Sequence, residues 1–165
     1  MIVRGLEASL TVRGMLAIFT GVVLHELGHI LFGRLVRIPI TGVVIGEGRR
    51  LCGWRMGAIT FTIHAIPTSG YVEHAEYHAT PLRSAVVAAG GIVVNVAVGI
   101  ACLAFCLAAE PVGWVGKMLW AIALTHLALA AMSLAPRQYK DGNKSDGLLL
   151  LEAWRGFERG NGSTR

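Results

Sequence analysis

The 165-residue chain is 54% hydrophobic and 15% charged, with a mean hydropathy of +0.59. An ordinary soluble domain carries about 25% charged residues, so the composition argues against a water-soluble globule and for a membrane protein. The net charge of +5 does not indicate nucleic acid, because the basic residues form no stripe with interleaved aromatics.

In chain order, the N-terminal MIVRGLEASLTVRG lacks the marks of a signal peptide, since it carries Glu7 and no A-x-A site follows its apolar stretch. Spanning a bilayer takes about 20 mainly apolar residues. The first such stretch covers roughly 14–36, the second 84–109 and the third 112–134. Only Glu110 and Pro111 separate the last two, which predicts an antiparallel helical hairpin. Residues 37–83 are rich in Val, Ile, Thr, Gly and Pro, and ITFTIHAI alternates, so two or three short β-strands are expected there. After Pro136 and a polar stretch, residues 145–158 read as a short amphipathic helix starting near Ser145 or Asp146. The fold class expected is an all-α membrane protein, with three transmembrane helices, a short β-hairpin or sheet inserted between the first two, and a single domain over 1–165.

Lys and Arg set the orientation. Twelve of them lie in the 37–83 segment with its edges and in the C-terminal segment; Arg4, Arg13 and Lys117 fall on the other side. The positive-inside rule then puts the N-terminus outside and both basic segments in the cytoplasm.

The first span contains HELGH. Ionisable residues inside a span are rare and usually functional. His25 and His29 are four apart, which places both imidazoles on one helical face. With Glu26 beside the first, this is the H-E-x-x-H arrangement of two zinc ligands and a general base. Such a site needs a third protein ligand. The position six after His29 is Leu35, which cannot ligate. Glu47 sits in a turn-like GEGRR. Asp146, opening the apolar run after SDG, is preferred over Asp141, which is also followed by Gly.

Other polar residues read more plainly. His126 is expected to make a packing hydrogen bond. His74 and His78, with Glu73 and Glu76, read as a solvated turn, and His64 as a surface strand residue. Cys102 and Cys106 are small apolar residues of a helix. The three cysteines, with Cys52, give no disulfide framework. Trp114, Trp120 and Trp154 fit interfacial or packing roles.

Four segments in order resemble the site-2 protease family of intramembrane zinc metalloproteases: HELGH, then IPTSGYV at 66–72, AAGGIVVN at 88–95, and SLAPRQYKDGNKSDG at 133–147. Ser69 stands where that family usually has glycine, Gly91 where it has proline, and Ser133 where it has asparagine. The resemblance implies a three-helix core with one zinc held by His25, His29 and Asp146, and Glu26 as base. It also implies a substrate strand paired near Gly70 and Tyr71, with Asn95 and Ser133 as further substrate contacts. Asn95 has an alternative as a helix–helix hydrogen bond. The expected function is intramembrane endopeptidase action on a membrane-inserted protein or peptide near the cytoplasmic face, in a bacterial or archaeal plasma membrane. The chain reads as a minimal core, with a homo-oligomer or a regulatory membrane partner supplying control. The rival reading is a catalytically inactive scaffold that keeps the fold, for which Ser133 leaves room.

Overall fold

The computed structural model describes residues 2–75, 80–139 and 142–162, with side chains over 12–75, 80–139 and 142–156. Four helices and two strands follow one another: α1 (Ile2–Leu35), β1 (Ile40–Met56), β2 (Ile59–His74), α2 (Pro81–Ala109), α3 (Gly113–Leu134) and α4 (Asp146–Gly162). Val12–Leu35, Pro81–Ala109 and Gly113–Leu134 are long and apolar enough to cross a membrane.

Local signals set the helix ends. The last turn of α1 closes with Ile38 N–H donating to Gly33 O (2.9 Å) and Arg37 N–H to Arg34 O (3.2 Å). This is a Schellman cap, with Arg37 at φ 57° where glycine is usual. Thr80 caps α2 by accepting from Arg83 N–H (3.4 Å), and Pro81 follows in the first turn, where its missing N–H costs nothing. Glu110 ends α2 in the left-handed region, and α3 starts three residues later, so the predicted hairpin forms.

α1 is the central element. It packs on α2, α3 and both strands, while α2 also holds α3 and α4. Its closest approach is to α2. A methyl on Gly28 would meet the Gly90 carbonyl, and one on Gly90 would meet the Gly28 carbonyl and Phe32 Cβ. Backbones this close need glycine on both sides, the usual way for membrane helices to gain packing.

The sheet differs from expectation. Instead of two or three short strands, β1 has 17 residues and β2 has 16, joined by a turn at Gly57 and Ala58. Both strands bend, β1 at Gly46 and Gly48, whose φ values are +85° and +81°. The bends let one stretch serve twice. Gly42–Ile45 pairs with Thr60–Ile63 in ascending register on one side and with Glu73–Gly70 in descending register on the other. Gly70, Tyr71 and Val72 have no second strand partner, so this part of β2 is an open edge among the described residues.

The sheet also does not hang beyond the first span as a loop. Ile40, Val43, Ile45 and Ile59 form one core with Val22 and Ile30 of α1 and Val87 of α2. The β2 bend at Ala65–Thr68 shares a small hollow with Met15 and Ile18. At 1.5 Å rise per residue that lies roughly 25 Å from the end of α1. The apolar face of β1 had to be covered, and α1 offers the nearest apolar surface.

The glycine contact can be tested against a glycine with space around it. Gly90→Ala is expected to destabilise by about 1–3 kcal/mol through overpacking. Gly14→Ala, with nothing within 4 Å of the new methyl, should be neutral or stabilise by up to about 1 kcal/mol through helix propensity. Thermal melts in detergent should show a lowered midpoint for Gly90→Ala and no lowering for Gly14→Ala.

Candidate metal centre

His25 and His29 leave the same face of α1 a little over one turn apart. Their rings meet edge to face, with centroids 4.7 Å apart and planes at 88°. Asp146, the first residue of α4, closes the group. Its Oδ2 lies 3.0 Å from His25 Nε2 and its Oδ1 3.6 Å from His29 Nε2. One donor atom from each of the three residues falls within 4.8 Å of the others. Each imidazole nitrogen thus faces one oxygen of the same carboxylate, and two nitrogens with a carboxylate are the donor chemistry of a zinc site with one position left open.

The second helix holds both rings. His29 Nδ1–H donates to the Val87 carbonyl (2.8 Å), which leaves Nε2 of the neutral ring with its lone pair. His25 Nδ1 lies 3.2 Å from Asn95 Nδ2. Between them on α2 is Gly91. A methyl there would sit 2.6 Å from His25 Nε2 and 2.7 Å from His29 Nε2, against both donor nitrogens.

Asp146 is brought in by its two neighbours. The Ser145 hydroxyl donates to the Ala135 carbonyl (2.9 Å) and accepts from the N–H groups of Arg137 (2.8 Å) and Leu148 (3.3 Å). It thus caps α4 and ties it to the end of α3. Gly147 lies against the Leu134 carbonyl, where a methyl would collide. The three residues of S-D-G therefore divide the work: Ser145 fastens the helix start, Asp146 supplies the donor atom, and Gly147 gives clearance.

Glu26 is 2% exposed, and its Oε2 has no hydrogen-bond partner among the described residues. Gly70 of β2 covers it so closely that a methyl there would lie 2.6 Å from Glu26 Oε1. The open edge of β2 therefore runs directly above the carboxylate. A cavity of about 980 Å³ joins these parts, and His25, Glu26, His29, Gly70, Tyr71, Asn95, Ser133 and Asp146 all line it.

The rival donors fare differently. Glu47 also lines the cavity but is exposed and outside the three-donor group. Asp141 lies outside the described residues, as do Glu76 and His78. His74 and Glu73 are exposed as expected, but they close strand β2 and pair with Ile40 and Gly42 rather than forming a turn. His126 departs from expectation: it is fully buried, and neither ring nitrogen has a partner among the described residues. Its ring lies beside Gly21, which has no side chain to donate or accept. His64 is not a simple surface residue either, because its Nδ1 is covered and has no partner among the described residues. Cys106 is buried and Cys52 exposed, and all three cysteines are free. Sequence reasoning gave no site role to Val87, Gly91, Ser145 or Gly147. The first acts through its main-chain carbonyl and the two glycines through what they lack; Ser145 was legible only as a helix start and Gly91 only as a departure from the family pattern.

Comparison with known proteins finds partial relatives and one family match. The sequence is 39% identical over 56 residues to a provisionally named zinc metalloprotease of Thermotoga maritima, covering 33% of this chain and 11% of that protein. Similarity to another so named, from Chlamydia trachomatis, is 39% over 51 residues, 31% of this chain and 8% of that one. A third, from Synechocystis, is 38% identical over 65 residues, 39% of this chain and 17% of that one. The chain thus spans less than a fifth of the length of these curated relatives. The sequence model described as Peptidase family M50 matches residues 13–135, which includes HELGH and stops before Asp146. That match covers well over half of the 165 residues, and the chain belongs to peptidase family M50, the site-2 protease family.

Proposed function

We propose that this chain is a zinc-dependent intramembrane endopeptidase that cuts a membrane-inserted segment of a protein or peptide. The observation that carries the reading is the meeting of His25, His29 and Asp146 within 4.8 Å, beside a buried carboxylate and below an open strand edge.

His25 and His29 would hold the zinc through Nε2 and Asp146 through its carboxylate. Bound there, zinc supplies a Lewis acid for a peptide carbonyl and lowers the pKa of water toward about 7. Glu26 takes the proton from the attacking water and passes it to the leaving amine, the work of a general base and then a general acid. Its unpartnered Oε2 faces no competing donor among the described residues. A transmembrane helix hides its peptide bonds in its own hydrogen bonds, so the substrate must unwind locally. The free N–H and C=O groups of β2 at Gly70–Val72 can pair with the opened segment as an added strand. Tyr71, half exposed at that edge, and Ser133 across the cavity would contact its side chains.

Residues 1–165 then form one intramembrane metalloprotease domain, with the N-terminus outside and the C-terminal segment cytoplasmic, as the Lys and Arg distribution favours. Cleavage would fall near the cytoplasmic face, with a second copy or a membrane partner as regulator.

In liposomes with a transmembrane reporter, Glu26→Gln should keep its zinc and lose at least about 10²-fold in cleavage; full activity would refute the mechanism. Gly91→Ala should fold but fail to retain zinc, because its methyl presses against both Nε2 atoms. Parent-like zinc content in that variant would show that the ion sits elsewhere.

A further inference from the structure

His29 and His25 are anchored in chemically different ways. The Nδ1 of His29 faces a main-chain carbonyl, Val87 O, at 2.8 Å. A carbonyl only accepts, so that nitrogen must carry the proton. The Nδ1 of His25 faces a side-chain amide, Asn95, at 3.2 Å. An amide has a donor end and an acceptor end, and a half-turn about its Cβ–Cγ bond exchanges them.

The two orientations are not equivalent for the site. With Nδ2 donating, His25 Nδ1 must be bare. The ring proton then sits on Nε2 and points at Asp146 Oδ2, 3.0 Å away. With Oδ1 accepting, the proton sits on Nδ1 and Nε2 has its lone pair free. Only the second arrangement lets His25, His29 and Asp146 all direct lone pairs at one cation. Asn95 is fully buried, and its Oδ1 has no partner among the described residues. The half-turn gives that oxygen the His25 contact in exchange for the amide nitrogen's, so the requirement of the metal site for a free His25 Nε2 lone pair decides between the two.

We propose that Asn95 is a positioning residue that fixes the tautomer of His25, presenting Oδ1 to Nδ1–H so that Nε2 ligates. The inference rests on the metal reading above. It gives Asn95 a role separate from substrate contact, because Asn95 then does for His25 what the Val87 carbonyl does for His29. Ligating histidines generally donate their second N–H to such an acceptor, and loss of the acceptor typically weakens metal binding 10–100-fold.

The test is zinc affinity of the full chain in detergent, by competition with a chelator, for the parent, Asn95→Leu and Asn95→Asp, with the cobalt(II) spectrum of each. Leu keeps the shape but accepts nothing; zinc affinity should fall about 10–100-fold and the cobalt spectrum should change. An ionised Asp only accepts, and a metal-bound His25 beside it favours that form, so Asn95→Asp at a pH where the carboxyl is ionised should stay near the parent in both readouts. Parent-like affinity in Asn95→Leu overturns the proposal. So does an Asn95→Asp variant that is as weak as Asn95→Leu, because a donor role for Asn95 predicts that result. The Asp variant alone decides between the two roles if the Leu variant does not fold. A parent that binds neither metal overturns the metal reading beneath both.

Discussion

The structure depends on placing one carboxylate, Asp146, against two imidazoles in the middle of an apolar bundle. His25, Glu26 and His29 occupy a helix that could otherwise be filled with Val and Leu. Polar groups in that setting are costly unless they are partnered. The rest of the architecture supplies partners for the two histidines. α2 gives the Val87 carbonyl and the Asn95 amide, and α4 gives the carboxylate from its first residue. The helices can come this near because Gly28, Gly90, Gly91 and Gly147 stand at the contacts. Packing and chemistry are thus the same constraint. Gly28, Gly90 and Gly91 bring α1 and α2 together, and Gly147 seats the start of α4 against the end of α3, so that the donor atoms meet.

The sheet completes the site from the other side. It leans on α1 through Ile40, Val43, Ile45 and Ile59, which carries the open edge of β2 over Glu26. The same contact that buries the apolar face of β1 therefore roofs the carboxylate. The bend at Gly46 lets β1 run beside β2 twice, so β2 keeps one edge unpaired where it borders the cavity. A strand edge is usually a liability. Here it is placed where an unwound peptide needs hydrogen-bond partners.

Much of this was legible in the sequence, and the reasons are local. Apolar runs gave the ends of the three long helices to within about three residues except at the start of α1, which begins at Ile2 rather than near 14, because length and composition are both local quantities. The four-residue spacing of His25 and His29 gave their shared face. Asp146 stood out because it opens an apolar run behind Ser145, and the structure brings it to the two histidines. What could not be read depends on tertiary contacts. Two short strands and two long bent ones share the same composition, and nothing near Ile40 says that its strand packs back along α1. His126 was expected to have a partner, yet its environment is set by Gly21, more than 100 positions earlier. Gly91 could be seen as a departure from a pattern but not as clearance for two ring nitrogens.

The central claim is that His25, His29 and Asp146 hold one zinc ion. Its most direct test is the metal content of the purified protein beside Asp146→Ala and Asp141→Ala. The account predicts close to one zinc per chain in the parent and in Asp141→Ala, and none in Asp146→Ala. A folded parent that takes up no zinc when it is supplied, or an Asp146→Ala variant that keeps its zinc, would contradict it.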